Sequence, residues 1–237
     1  MLSDPRRFSR LIAAFSLIVG PLLVLAGMVA TPWESEPGTA GYHDALAGDP
    51  GQSEVAAMLL HFGFLLMLGA ALALMHLARL SVPRLAHIGG LLAVFGLATL
   101  PGLLVTDFYD LALAEALPRE ESVKIADAAT DGWAPIVMVL TGAFPVIIGL
   151  VLLAVAAWRA GAATAPAALF MVVGWLLPMV SSTGGLVLTA IGATLMVIGY
   201  GWVGVTVAKM SDQAWVDRAF SRTKRAKAPK IAVESAV

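Results

Sequence analysis

Residues 88–106 form an uncharged run of nineteen residues that contains only apolar, glycine, proline and threonine side chains. A helix rises about 1.5 Å per residue, so this run is long enough to cross the hydrocarbon layer of a bilayer, which is about 30 Å thick. Five other segments are similar in length and apolarity. We therefore predict an all-α fold, a polytopic membrane helical bundle, with six transmembrane helices at residues 11–30, 55–78, 87–107, 133–158, 165–181 and 185–208.

The composition of the whole chain agrees with a bilayer as its solvent. Hydrophobic residues account for 59% and charged residues for 13%, and the mean hydropathy is +0.86, whereas about a quarter of the residues in soluble domains are charged. We expect residues 1–210 to form one six-helix transmembrane domain and residues 211–237 to form a basic cytoplasmic tail. The absence of cysteine excludes disulfides and thiolate metal sites.

The distribution of charge predicts the orientation of the helices. With the N-terminus inside, thirteen of the fifteen Lys and Arg residues lie on the inner side, and twelve of the sixteen Asp and Glu residues lie on the outer side. Because basic residues accumulate in cytoplasmic segments, both termini are expected in the cytoplasm.

The tail after residue 210 combines basic residues with one apolar helical face, formed by Trp215, Val216, Ala219 and Phe220. This pattern predicts an interfacial helix on the anionic inner leaflet, followed by a disordered segment. A solvated tail that merely obeys the charge rule is the alternative. Nucleic-acid binding is not expected, because membrane lipids already provide an anionic partner for so short a basic run.

Small residues four positions apart allow helices to approach closely in lipid. The third predicted helix has the most such pairs, among them Gly89 with Ala93 and Ala98 with Gly102, so we expect it to be central. Its pattern continues beyond the membrane to residue 117, where a short helix is predicted to follow. In the first outer loop we expect only a surface turn at residues 42–47, with Ser53 as the cap of the second helix.

Ionisable residues near the outer end of the bundle define a candidate binding site. These residues are His61, Asp107, Asp110 and Asp131. Charged groups at membrane depth are costly and normally face the bundle interior, so we expect His61 to pair with Asp107, with His43 or Asp44 as further partners from the loop. The pair is either a cation, metal or proton site that opens outward or a structural hydrogen bond between helices two and three.

His76 and His87 lie near the inner ends of the second and third predicted helices, at similar depth. Two histidines at one depth are the minimum for ligating a haem through two imidazoles. The alternative is a pair of interfacial histidines beside Arg79 and Arg84. Haem is therefore the one cofactor hypothesis, and otherwise no cofactor is expected.

The sequence contains no hydrolase elbow, zinc-protease motif, desaturase histidine box or P-loop. A non-enzymatic function is therefore favoured: a bundle that binds or transports a small solute, an ion or a lipid, or an accessory subunit with a membrane-protein partner or a second copy of itself. A haem-binding redox protein is the alternative.

The basic N-terminus, the loop at residues 42–49 and Asp107 at the outer end of the third helix resemble small six-helix integral membrane proteins of actinobacteria, a group without an assigned activity. The resemblance covers the transmembrane region. It implies a location in a bacterial plasma membrane.

Overall fold

The computed structural model describes residues 4–34, 38–180 and 185–217. These residues form helices and no strands, as predicted. The helices are α1 (Pro5–Ala30), α2 (Thr39–Gly48), α3 (Pro50–Ala78), α4 (Pro83–Ala116), α5 (Arg119–Thr130), α6 (Trp133–Arg159), α7 (Ala165–Val180), α8 (Gly185–Lys209) and α9 (Asp212–Asp217).

Five of the described helices, α1, α3, α4, α6 and α8, are long and apolar enough to cross a membrane. The molecule is therefore a multi-pass membrane helical bundle. The sixth predicted span corresponds to α7, which is apolar but has only sixteen residues, fewer than the roughly twenty that usually span a bilayer. Residue 181, where that span was predicted to end, lies outside the described residues.

The long helices and α7 form a ring in the order α1, α3, α4, α6, α7 and α8, with α8 packing back against α1 and with α3 also contacting α6. The predicted central position of the third span, α4, is wrong. A larger share of α1 and of α3 is buried. The short helix α9 also covers α1, and α3 contacts α6 in addition to α1 and α4.

Glycines lie at several close helix contacts. One of them is Gly89 of the predicted pair with Ala93, where an added Cβ atom would lie 3.1 Å from the Gly149 carbonyl oxygen of α6. A Cβ atom on Gly20 would lie 3.1 Å from the Met67 amide nitrogen of α3, and one on Gly96 would lie 2.5 Å from the Val146 amide nitrogen of α6. In contrast, a Cβ atom on Gly102 would have no neighbour within 4 Å. The pair formed by Ala98 and Gly102 is therefore not a packing contact, because the chain leaves the space beside Gly102 open.

The segments predicted to lie outside the membrane, which we call the outer segments, contain more helix than expected. The predicted surface turn at residues 42–47 is instead part of the helix α2, in which Gly41, His43 and Leu46 are buried. The expected extension of the third span is confirmed, because α4 continues to Ala116 and α5 follows with Glu120 and Glu121 in its first turn.

Asp49, and not Ser53, caps the second span. The Asp49 side chain accepts a hydrogen bond from the Gln52 amide at 3.1 Å, so α3 starts at Pro50, five residues earlier than predicted. Ser53 is buried within the helix, where its hydroxyl donates to the carbonyls of Leu46 and Asp49.

At the inner end, α9 is held by side chains of α1 and α3. The Arg10 guanidinium donates to Asp212 at 2.7 Å and to the Ala208 carbonyl at 2.6 Å, which also covers the C-terminal end of α8. The Trp215 ring stacks on His76 with ring centres 4.2 Å apart, and its Nε1 donates to Ser9 at 3.0 Å. We call this set of contacts the tail anchor.

The tail anchor corrects one part of the predicted interfacial helix. Trp215 is buried against the bundle and does not face lipid, because its stacking and hydrogen-bonding partners lie on α1 and α3. The rest of the predicted apolar face includes Ala219 and Phe220, which lie outside the described residues.

Candidate functional site

The helices α2 and α5 lie against the outer end of α4 and against each other; we call them the outer cap. Three side-chain contacts hold the cap. Tyr42 donates to Asp107 at 2.7 Å, Arg119 contacts both carboxylate oxygens of Asp44 at 2.7 and 2.8 Å, and the Ser122 hydroxyl lies 3.0 Å from His43 Nδ1.

Tyr42 provides the hydrogen bond that joins the cap to the end of a spanning helix. Burial and the neighbouring Asp107 carboxylate raise the pKa of Tyr42 above its ordinary value. The phenol therefore stays protonated at neutral pH and acts as the donor. Asp107 is thus partnered by Tyr42, and no hydrogen bond between Asp107 and His61 occurs in the described residues, so the predicted pair is not found.

The Asp44 and Arg119 contact ties α2 to α5 at the exposed surface. The hydrogen bond from Arg119 lowers the pKa of Asp44 below its usual value. A lowered folded-state pKa adds stability above the unfolded-state pKa, near 4, and this stability disappears as the pH falls through the folded-state value. Both side chains are exposed, so the contribution is small.

We therefore expect Asp44→Asn to lower the melting temperature in detergent slightly at pH 7, and the difference from wild type to shrink as the pH falls below about 4. Thermal unfolding at pH 7 and pH 3 measures this difference. Asp127→Asn, an exposed position on α5, is the matched control and should show no gap at either pH. A gap that stays constant with pH would contradict the ion-pair explanation.

His43 and Ser122 are the two buried polar side chains of the outer cap. The His43 side chain is only 2% exposed. Nδ1 contacts Ser122, which is itself fully buried, whereas Nε2 is buried without a hydrogen-bond partner in the described residues. Unsatisfied buried polar atoms cost roughly 1–3 kcal/mol. An imidazole nitrogen enclosed in this way is therefore a candidate contact for a ligand or an ordered water.

The four residues predicted for the outer site occupy different positions. Asp107 and Asp110 lie half-buried on α4 under the outer cap. His61 is half-buried on α3, with its ring edge-on to Phe62 and no hydrogen bond in the described residues. Asp131 is exposed at the end of α5, in a surface groove with Arg119 and Lys124. Only the two α4 carboxylates therefore lie beneath the cap.

The sequence predicts too small a role for His43 and Tyr42 in the outer site. It predicts His43 only as a further partner from the loop, and it does not predict the hydrogen bond between Tyr42 and Asp107. The available signal was the spacing of Tyr42, His43 and Leu46 in a segment free of proline, which fits one buried side of a short helix. The flanking prolines and glycines hid this helix.

The two histidines of the haem hypothesis have different surroundings. His76 Nε2 lies 3.0 Å from the Trp215 carbonyl within the tail anchor, and His87 Nδ1 lies 2.7 Å from the Pro83 carbonyl on an exposed side of α4. Each ring keeps its other nitrogen available for a ligand. The haem hypothesis stays a prediction, and an absorption spectrum of the purified protein tests it.

A gap separates the outer halves of α6 and α7. Residues 136–140 of α6 are all exposed, and five consecutive residues point around the full circumference of a helix, so no side of that turn is buried against a neighbouring helix. At the inner end, by contrast, Ala157 of α6 and Ala167 and Ala168 of α7 are buried. The two helices pack at their inner ends and leave an opening above.

We call this opening the outer cleft. Leu100 and Leu104 of α4, Ile147 of α6 and Val172 of α7 pack against the buried core and are only partly buried. Asp107 lies three residues beyond Leu104 on nearly the same side of α4. On α4, apolar side chains therefore lie below the carboxylates that the outer cap covers.

In the described part of the chain, no group of three or more His, Asp or Glu side chains has the arrangement of a metal site. Comparisons with protein-family models, with curated proteins and with solved structures gave no match. The functional assignment therefore depends on the geometry of this chain.

Proposed function

We propose that this integral membrane protein binds lipid, with the acyl chains entering the outer cleft sideways from the membrane. The single observation that carries the proposal is that residues 136–140 of α6 are each 46–51% exposed, on every side of the helix, above an inner end where α6 and α7 are packed. An exposed helix turn with apolar side chains leaves room beside it. The acyl chain of a lipid can occupy this volume.

The interior of the bundle favours lipid over ions and polar solutes. Pathways for ions or polar solutes are lined by charged or polar groups at membrane depth. Within the depth of the spans, the buried side chains of the described residues that carry a polar group are Ser16, Trp175 and Tyr200. The Trp175 indole nitrogen donates a 3.2 Å hydrogen bond to the Tyr200 hydroxyl oxygen. The middle of the bundle therefore supports an apolar ligand.

Filling the outer cleft tests this function. Ala143 and Ile147 lie one turn apart on α6 and are half-buried, whereas Ile148 is exposed on another side of the same helix. We expect Ala143→Trp to reduce the lipid that co-purifies in mild detergent, measured by mass spectrometry, because the indole occupies the space of an acyl chain. Ile148→Trp should leave the amount of lipid unchanged.

The outcome also separates lipid binding from the role of an accessory subunit. Equal lipid in both variants and wild type would contradict the lipid proposal. If another membrane protein co-purifies with wild type and is lost only in Ala143→Trp, the cleft instead accepts a partner helix, and the accessory-subunit alternative replaces the proposal.

We propose further that the protein has six spans with both termini in the cytoplasm of a bacterium, in its plasma membrane. The charge distribution supports this orientation. Because the sequence has no cysteine, single cysteines report exposure to each side. In intact cells a membrane-impermeant maleimide should label Glu120→Cys in the outer cap and not Leu80→Cys in the loop between α3 and α4. The opposite labelling would overturn the orientation.

A further inference from the structure

The outer part of α6 is attached to the bundle more loosely than the inner part. In residues 133–144, which we call the α6 arm, Gly142 is the one buried residue, and it faces Thr99 of α4. The rest of the helix buries a continuous face that includes Val146 and Leu153. Within the described residues, the side-chain hydrogen bonds of the α6 arm stay inside its own helix. The arm is therefore held to its neighbours mainly at the level of one glycine.

The junction between the two parts of α6 is weakened by its own sequence. Pro145 has no amide hydrogen, so the Thr141 carbonyl lacks the donor that an uninterrupted helix would supply. The Thr141 hydroxyl donates to the Val137 carbonyl at 2.7 Å, and such bonds to the preceding turn often bend helices. Both features lie within residues 137–145. Sharp bends in helices occur mainly at prolines and at turns disturbed in this way.

Immediately below this junction α6 is fixed against α4. A Cβ atom on Gly96 would lie 2.5 Å from the Val146 amide nitrogen, and one on Gly89 would lie 3.2 Å from the Leu153 amide nitrogen. The backbones of the two helices are therefore in close contact from residue 146 inward. A weakened turn between a fixed inner part and a loosely held arm has the properties of a hinge.

We propose that α6 bends about Pro145, so that the α6 arm opens and closes the outer cleft. The inference rests on the proposed lipid-binding function and adds the way in which a lipid is admitted. The arm forms one side of the cleft and α7 the other, so the bend sets the width of the opening. Ile136 lies nine residues from Pro145, about 14 Å along the helix. A change of about 20° in the bend, the lower limit of a sharp kink, therefore moves Ile136 by about 5 Å.

Pairs of spin labels measure this motion, because the sequence has no cysteine of its own. Ile136→Cys lies above the hinge and Ile148→Cys below it, and their side chains are similarly exposed, at 51% and 50%. Each is paired with Glu54→Cys, an exposed position of α3. Distances are measured by double electron–electron resonance in lipid nanodiscs. We expect the distance distribution of the Ile136 pair to be about 5 Å wider than that of the Ile148 pair.

Two proline variants of α6 then locate the hinge. Pro145→Ala restores the amide donor for the Thr141 carbonyl and should narrow the distribution of the Ile136 pair to the width of the Ile148 pair. It should also slow the exchange of bound phospholipid for a deuterated phospholipid, followed by native mass spectrometry, by about fivefold, the effect of one restored backbone hydrogen bond. Pro135→Ala is the matched control and should change neither quantity, because the amides of the first helical turn have no helical partner.

The possible results separate the hinge from the lipid-binding function. Equal widths for the two wild-type pairs, with bound lipid still reduced by Ala143→Trp, would overturn the hinge and leave the cleft as a lipid site. A wide distribution that survives Pro145→Ala would overturn Pro145 as the hinge, and a narrowed distribution with unchanged exchange would overturn its role in admitting lipid. If wild type binds no lipid, the lipid-binding function fails and the gating role fails with it, whereas the spin-label distances still show whether α6 bends at Pro145.

Discussion

Gly96→Ala should be among the most damaging single-methyl additions in the chain, with a loss of about 2–3 kcal/mol in the free energy of unfolding. The added Cβ would lie 2.5 Å from the Val146 nitrogen and 2.7 Å from the Gly142 carbonyl oxygen. Both atoms belong to the backbone of α6 and cannot rotate away. The two helices must therefore separate, and the packing of α4 against α6 is lost along the whole contact.

The measurement is thermal unfolding in detergent, where this loss corresponds to roughly 5–10 °C in melting temperature. Gly102→Ala adds the same methyl group to the same helix at a position with no atom within 4 Å. It should be neutral or stabilise by up to about 1 kcal/mol, because alanine is the better helix former. Equal melting temperatures for the two variants would mean that α4 and α6 are not in close contact.

Arg10→Met should have the second large effect, because it removes the centre of the tail anchor. The Arg10 side chain is largely buried, and its loss leaves Asp212 and the Ala208 carbonyl without their donor. Breaking a buried ion pair typically costs 3–5 kcal/mol. Asp212 keeps partial access to water, so we expect about 2–4 kcal/mol.

The rate of proteolysis next to α9 measures its release from the bundle. Trypsin should cleave after Lys209 faster in Arg10→Met than in wild type, because the following segment no longer packs against α1 and α3. Arg7→Met removes the same charge from an exposed position three residues earlier and should leave both cleavage and melting temperature unchanged. If Arg7→Met behaves like Arg10→Met, the net charge of the N-terminus, and not the tail anchor, is the relevant quantity.

Arg10 and Arg7 also show what sequence can and cannot predict. The apolar periods and the positions of glycines predict the spans and many of their contacts, because a bilayer requires every backbone polar group to be satisfied within a helix. Both arginines were assigned to the inner side by the same charge rule. Only the rotation of α1 about its axis, set by packing against α3 and α8, makes one buried and the other exposed.

The outer site was predicted in part for a similar reason. Asp107 was identified because an acidic residue at the end of a long apolar run is conspicuous. Its partner was expected on the neighbouring span, as His61, and the structure has Tyr42 instead. The return of α2 onto the outer end of α4 depends on contacts between residues far apart in sequence, and no local pattern specifies it.

The tail anchor has a consequence for the order of biosynthesis. Arg10 and Asp212 are 202 residues apart. The ribosome therefore synthesises Arg10 long before Asp212, and most of the helices are made in between. At about 5–20 residues per second this delay is roughly 10–40 s. During that time Arg10 has neither Asp212 nor the α8 carbonyls as partners. A nascent chain that stops before residue 212 therefore lacks the carboxylate that pairs with Arg10 in the finished chain.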